Sequence, residues 1–569
     1  MFWRKPLAYA VGWVAVWALG MAFRLPGLDR RPMHPDEANQ AWKTGLLWQT
    51  GHYRYDPAEH HGPTLYYLTL PVLWLAGPGD FAQTGEIHYR LLTALAGGFV
   101  VWAVLLFRRV LGAGAVLLSA ALTAFSPVMV FYSRYYIQEI LLVLFTLGFL
   151  VCLGRWRQSQ TVGGAAYWSA LAGGCLGLMA ATKETWILSW AAMLVAGLLE
   201  LVWASCLGRR KPMAILLGLQ SDPQRTNYPP GLAKWGLLGG MGLLIAFGVA
   251  WILYTHGGAH PEGFRDAWAA YQVYLHRGLD AGPHRHPPFF YLERLLAYRA
   301  KGVFWTEGFI LLLAAVGIGW AFWPWPRPGA RDAPLQNSAD KAFVRFLSFY
   351  TVGLTVLYSA IPYKTPWCAM QFWQGWILLA GVGGNWLISW AWRLPSRLFS
   401  WVAVAGMALV LVGGGGHLLW QSWQVNFNPR LFANGEQNPW VYAHTAPHIL
   451  RLADRMEQFA AVATEGHRML VHVIVPDNYW PLPWYLRRFD QERVGYWENL
   501  EAWAACCHRL PPPHVLIVQA EIADQLQPHL QASYNSQMLF RLRPEVFVRV
   551  YVRQDLWEAF LRRLGSGGQ

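Results

Sequence analysis

Charged side chains are scarce: they make up 14% of the 569 residues, against roughly 25% in an average soluble protein. That scarcity excludes an ordinary soluble enzyme and leaves most of the chain to be solvated by lipid. The six cysteines carry no pattern. Cys152, Cys175 and Cys206 fall inside apolar runs, Cys368 at the edge of one, and Cys506 and Cys507 are adjacent. No C-x-x-C spacing exists, which excludes a thiolate metal site, and no disulfide framework is visible. There is no GxGxxG, no P-loop and no triad motif, so nucleotide-cradling loops and independent hydrolysis by the C-terminal part are excluded as well. No small-residue cleavage site follows the first apolar run, Leu7 to Phe23, which Arg4 and Lys5 precede. It reads as a retained first helix with a cytoplasmic N-terminus, not a signal peptide. No internal repeat stands out.

What is abundant is apolar and aromatic: 55% hydrophobic residues, with 34 Trp, 25 Tyr and 28 Phe. About eleven runs approach the ~20 apolar residues a bilayer core requires: 7–24, 89–107, 111–131, 139–154, 164–182, 185–206, 233–254, 303–324, 342–360, 368–391 and 398–420. Arg108/Arg109, Arg155/Arg157, Arg209/Arg210/Lys211, Arg327/Arg331/Lys341 and Arg393/Arg397 fall on alternate connections. The positive-inside rule places these with the N-terminus and accounts for much of the formal net charge of +14 without nucleic acid. The 13-residue run Thr64–Ala76, interrupted by Pro71, is too short to cross. It reads as a helix at the outer interface anchored by Tyr66, Tyr67 and Trp74. The first outer loop, about 24–88, then has room for two interfacial helices, and 325–341 reads as a flexible linker.

The domain organisation follows: a transmembrane domain over 1–420 and a soluble extracytoplasmic α/β domain over 421–569. In the latter, Met469–Val475 and His514–Gln519 read as buried strands and Glu545–Arg553 as a half-buried one. His448–Val462, Glu521–Leu530 and Asp555–Leu564 read as helices.

The polar clusters collect on the outer side. Asp36 and Glu37 follow the first span directly. Two adjacent carboxylates beside a bilayer suit acid/base work or metal binding on a membrane-borne substrate; they equally suit the N-terminal cap of the interfacial helix. Arg134 and Glu139 stand between the third and fourth spans, suited either to a phosphate or to a mutual ion pair. Lys183-Glu184 has the same two readings. Lys364, between Pro362 and Pro366, has no acidic neighbour and suits a phosphate or a snorkelling role. With Asp36, Glu59 and His60 form a candidate site for Mn, Mg or Zn, although the spacing matches no metal signature.

At these residues the chain resembles the GT-C glycosyltransferases, in the branch of the protein O-mannosyltransferases and the lipid A aminoarabinose transferase. It looks closest to the prokaryotic flippase-activity-associated membrane proteins. The resemblance rests on His34-Pro35-Asp36-Glu37-Ala38, Tyr55-Asp56-Pro57, His61-Gly62-Pro63, Tyr66-Tyr67-Leu68 and Ser133-Arg134-Tyr135-Tyr136-Ile137-Gln138-Glu139. It continues in Lys183-Glu184-Thr185, Tyr363-Lys364-Thr365-Pro366-Trp367 and Asp477-Asn478-Tyr479-Trp480-Pro481. It implies a polytopic cell-membrane enzyme that inverts configuration, moving a hexosyl or pentosyl group from a polyprenyl-phosphate-linked donor to an extracytoplasmic acceptor. Asp36 matches the family's first-loop acid, with Glu37 beside it. Lys364, Arg134, Lys183 and His61 are the residues expected to meet the donor phosphate. Glu139, Tyr66, Tyr363, Asp477 and Trp480 are expected to line the site or the acceptor. One departure is clear: the aminoarabinose transferase has Lys-Pro-Pro, its lysine meeting the donor phosphate, where this chain has His61-Gly62-Pro63. A flippase component or a non-catalytic assembly protein is the alternative. Translocation needs polar groups through the spans, and these spans are nearly free of charge.

Overall fold

The computed structural model describes residues 6–159, 161–206, 232–279, 282–323, 340–433 and 435–566. The expected linker and the clusters at 209–211 and 327–331 lie outside the described residues, apart from Asp340 and Lys341. Contacts divide the chain into two compact units. One comprises 1–26, 53–68 and 90–428; the other comprises 27–52, 69–89 and 429–569.

The first unit is helical and membrane-spanning. Among the described residues, seven helices are long and apolar enough to cross a bilayer: Glu86–Leu111, Glu139–Arg157, Val162–Ala180, Trp186–Cys206, Gly236–Tyr254, Lys341–Ala360 and Arg397–Phe427. An eighth is formed if the pair Ala113–Phe125 and Pro127–Ser133, bent by 60°, is one span. Among the described residues, seven or eight of the about eleven expected spans meet this test of length and composition. All eleven expected segments contain helix, but Pro6–Ala22 has 17 described residues and Gly308–Phe322 has 15. Ala369–Ala391 has length enough, yet carries Gln371, Gln374 and Asn385.

The 60° break has a local cause. Pro127 has no N–H to donate and starts a new helix at its first position. The backbone N–H of Val128 is left without a partner in its own chain direction, and the Glu307 carboxylate accepts it at 2.9 Å. The same carboxylate accepts from Ser126 Oγ at 2.5 Å and Trp373 Nε1 at 3.0 Å. In hydrocarbon an unmet N–H costs several kcal/mol, so irregular backbone survives only where protein satisfies it.

Val162–Ala180 packs against Leu232–Tyr254 through small residues. A Cβ on Gly173 would lie 2.2 Å from the Gly242 carbonyl oxygen, and one on Gly177 would lie 2.5 Å from that of Ala246. Two small residues four apart let the backbones meet, the usual route to association where lipid offers no hydrophobic drive.

The second unit is built on a five-stranded mixed sheet. A short hairpin in the first unit supplies β1 (Tyr298–Ala300) and β2 (Val303–Trp305). The sheet follows as β3 (Val471–Ile474), β4 (Val494–Trp497), β5 (Val515–Gln519), β6 (Tyr534–Arg543) and β7 (Val546–Arg553), in the order β4-β3-β5-β7-β6. β3 pairs in parallel with β4 and β5, while β7 runs antiparallel to β5 and β6. β3 and β5 are buried throughout, as parallel strands covered on both faces must be. Ile474, Leu516, Val518, Trp503, Leu526 and Tyr551 form the core beside them. Helices His448–Ala460 and Gln554–Ser566 stand where the periodicity predicts them, whereas Ala520–His529 is 3-10, not α, with Pro528 inside it. β4 and β6 were not foreseen.

Candidate active site

The helix Pro35–Thr50, in the second unit, presents the acidic pair. His34 is its N-cap, and the cap closes in both directions. His34 Nδ1 accepts the Asp36 N–H at 3.1 Å, and the His34 N–H donates to Glu37 Oε2 at 2.9 Å. With Nδ1 an acceptor, the ring proton sits on Nε2, which lies 3.0 Å from the Tyr442 carbonyl. Met33 is tied on both sides, its N–H donating to the Tyr485 hydroxyl and its carbonyl accepting from Thr445 Oγ1. Glu37 is buried and closes this capping box, whereas the Asp36 side chain is 51% exposed, with Oδ2 3.8 Å from His34 Nδ1. Identical chemistry at adjacent positions thus divides into one carboxylate that builds the turn and one presented from it.

In the same unit Asp477 and Trp480 follow β3. Gln519 grips Asp477 twice, accepting its N–H at 3.2 Å and donating to Oδ2 at 2.5 Å. Arg543 donates to the carbonyls of Trp480 (2.7 Å) and Asp477 (2.9 Å), and the Trp480 ring meets Trp42 edge-on.

The first unit holds the remaining candidates. Arg134, 2% exposed, donates to the carbonyls of Phe23, Arg24 and Pro26 at 3.3, 2.9 and 2.7 Å, and its guanidinium stacks over Phe427. It ties down the turn that follows the first helix. Glu139 pairs with Lys183 and not with Arg134. Burial works against the Lys183 ammonium, but Glu139 more than offsets this and raises its pKa.

Lys364 Nζ donates to the carbonyls of Ile361 (2.5 Å) and His286 (3.1 Å), and burial lowers its pKa. The Lys364 N–H bonds to the His284 carbonyl and the His286 N–H to that of Pro362, so 284–286 and 361–364 run side by side. His284 faces Tyr363 with ring centroids 5.0 Å apart. The His286 pKa is pushed down to about 4 by burial first, then by Arg294, His284 and Lys364.

A third cluster gathers around His61. Thr64 donates both its N–H and its hydroxyl to the Ala181 carbonyl, at 3.1 and 2.7 Å. A Cβ on Gly62 would stand 2.3 Å from that same oxygen, so only glycine admits the approach. This zipper sets His61 Nδ1 2.7 Å from Glu184 Oε2. The Tyr274 hydroxyl lies 2.9 Å from the same nitrogen, its ring stacked on the imidazole, and Tyr55 donates to Glu184 Oε1 at 3.3 Å. Burial first, then Glu184, holds the Tyr55 hydroxyl far above the ordinary phenol range, so it stays a donor. Tyr66 is fully buried and packs on Tyr53 and His60. Tyr274 was not among the expected site residues; for Tyr55 and Glu184 the signals were the Tyr55-Asp56-Pro57 and Lys183-Glu184-Thr185 motifs.

Among the described residues, no group of three or more His, Cys, Asp or Glu side chains is placed to hold a metal ion. Glu59 is exposed and His60 packs on Tyr66, so the side chains do not fit the metal site expected of them, and no step below runs through a metal.

This is an integral membrane protein whose fold is like that of ArnT. It matches ArnT from Cupriavidus metallidurans bound to undecaprenyl phosphate with a TM-score of 0.58 and 17% identity, over 95% of this chain and 98% of that one. The apo form of ArnT gives 0.57 and 17%, with the same coverage. The archaeal oligosaccharyltransferase AglB from Archaeoglobus fulgidus, in complex with an inhibitory peptide and a dolichol-phosphate, matches with a TM-score of 0.52 and 13% identity. That match covers 93% of this chain and 71% of AglB. Residues 68–215 match the family described as dolichyl-phosphate-mannose-protein mannosyltransferase. No curated protein matches the sequence.

Proposed function

We propose that this protein is a GT-C glycosyltransferase. It transfers a sugar from a polyprenyl-phosphate donor to an acceptor hydroxyl or amine on the extracytoplasmic side, with inversion. The observation that carries this reading is the exposed Asp36 carboxylate, presented by a closed capping box on a fold shared with ArnT. Asp36 is the general base. As it takes the acceptor's proton, the acceptor atom bonds to the anomeric carbon and the bond from that carbon to the phosphate oxygen breaks. The electron pair leaves with the polyprenyl phosphate. A single displacement from the face opposite the leaving group inverts the anomeric centre.

Lys364 is the leading partner for the departing phosphate. Its ammonium donates to the carbonyls of Ile361 and His286, near the Arg294 guanidinium. Arg134 and Lys183 are held by Phe23, Arg24 and Pro26 and by Glu139, and serve to position their own loops. Asp477 and Trp480 serve the acceptor. The Arg/Lys alternation supports an extracytoplasmic placement for the second unit.

Asp36→Asn tests the assignment, because it preserves size and leaves the His34–Glu37 cap untouched. Turnover with a lipid-linked sugar should fall by ~10²-fold or more in a purified, monodisperse variant. Full specific activity would end the catalytic role.

A further inference from the structure

The imidazole of His61 stands at an unusual junction. Its Nδ1 is 2.7 Å from a carboxylate that is itself 5% exposed, and no described residue partners Nε2. Its side chain remains 22% exposed. A carboxylate at that distance requires the ring proton on Nδ1, so the neutral imidazole presents a bare lone pair at Nε2. Tyr55, donating to the other carboxylate oxygen, holds Glu184 in the orientation that fixes this tautomer. Stacking against Tyr274 fixes the plane of the ring. A lone pair repels a phosphate oxygen and accepts from a hydroxyl.

We propose that Glu184 and His61 form a hydroxyl-reading pair: Nε2 accepts a hydrogen bond from a sugar hydroxyl, and Glu184 is the positioning residue that sets its polarity. This rests on the glycosyltransferase reading and deepens it. It assigns to His61 a contact with the sugar in place of the phosphate contact expected from the sequence. The hydroxyl belongs either to the donor's sugar or to a glycan acceptor.

Two probes separate these sources, with the full-length protein in nanodiscs: undecaprenyl phosphate alone, and undecaprenyl-phosphate-linked mannose, glucose or arabinose. Wild type should bind one of the sugar-bearing lipids more tightly than the bare phosphate. His61→Phe keeps the stacking surface and removes both nitrogens. It should erase about tenfold of that preference while leaving undecaprenyl phosphate affinity unchanged. Glu184→Gln can donate to Nδ1, which turns Nε2 into an N–H. It should lose the same preference and bind the bare phosphate at least as well as wild type. A purely structural role for Glu184 would weaken both ligands together, and that outcome overturns the proposal. So does a His61→Phe variant that binds undecaprenyl phosphate poorly, since His61 would then be a phosphate ligand. If the preference survives both changes but the KM for a glycan acceptor rises about tenfold, the hydroxyl is the acceptor's. If it survives with acceptor KM unchanged, the pair reads no hydroxyl. Wild type that binds no polyprenyl lipid at all would defeat the glycosyltransferase reading itself, a result distinct from each of these.

Discussion

Among single residues, the cations repay the closest comparison, because the sequence treats them alike and the fold does not. Arg134 spends its donors on three carbonyls and Lys183 on Glu139, whereas Lys364 holds two carbonyls near the Arg294 guanidinium. These contacts separate their roles in binding and folding. Arg134→Gln should lower stability by about 2–3 kcal/mol, since it strips charged hydrogen bonds from the turn that follows the first helix, while the protein that does fold keeps its donor affinity. Lys364→Gln should do the reverse, costing one to two decades in affinity for a polyprenyl-phosphate sugar with little change in melting temperature. Parallel melting and donor-binding measurements decide, and exchange of the two outcomes would exchange the assignments. The acidic residue of the first loop was legible from its place after an apolar run. The partners of Arg134 were not, because backbone carbonyls have no signature in a list of side chains. The partner of Glu184 was hidden for a related reason: beside Lys183 it reads as half of a local ion pair, and His61 lies 123 residues away.

The secondary-structure elements divide by how strongly periodicity speaks for them. Long apolar helices and the buried β3 and β5 were legible from hydrophobic runs. The break at Ser126 was not, since apolar residues continue through it and only the distant Glu307 makes it tolerable. β4 is four residues long, and β6 is interrupted by register shifts against β7, so neither leaves a clean alternation. The small-residue seam makes a prediction of its own. Gly173→Leu would force a side chain onto the Gly242 carbonyl and should destabilise the membrane unit by about 1–3 kcal/mol. Gly174→Leu has open space at its Cβ and should be nearly silent.

β3 carries a second test. His472 is 2% exposed, its Nδ1 accepts from Trp503 Nε1 at 3.0 Å, and burial pushes its pKa down to about 4. Unfolded, the same ring would take a proton near pH 6.5. The unfolded state therefore binds more protons between these values. Stability contributed by the neutral ring is full above about 6.5 and is lost as pH falls toward 4, by an amount on the order of 2–3 kcal/mol. Thermal unfolding followed by tryptophan fluorescence should show this acid limb, and His472→Gln should flatten it. An unchanged limb would place the sensitivity elsewhere.

For the whole molecule, charge asymmetry makes the broadest claim: an inner N-terminus with residues near 56 and 477 on the opposite side. Cysteines introduced by Asp56→Cys and Asp477→Cys should react with an impermeant maleimide in intact cells. Reaction at either site only after permeabilisation would refute the orientation. Near residue 420 the sequence changes from lipid-solvated to alternating. What stayed hidden is that two stretches of the first loop, 27–52 and 69–89, belong with the C-terminal residues. Pairings that span most of a chain leave no local trace.

Those pairings have a consequence for biosynthesis. Met33 bonds to Thr445 and Tyr485, partners 412 and 452 residues later in the chain. At about 5–20 residues per second a ribosome needs on the order of 20–90 s to deliver them. Through that interval the Pro35–Thr50 helix has its own cap and the Phe81 ring against Trp42 to hold it, but neither Thr445 nor Tyr485. The acid assigned to catalysis is thus among the first residues made and among the last to be set in place, which delays a working base until synthesis is nearly finished.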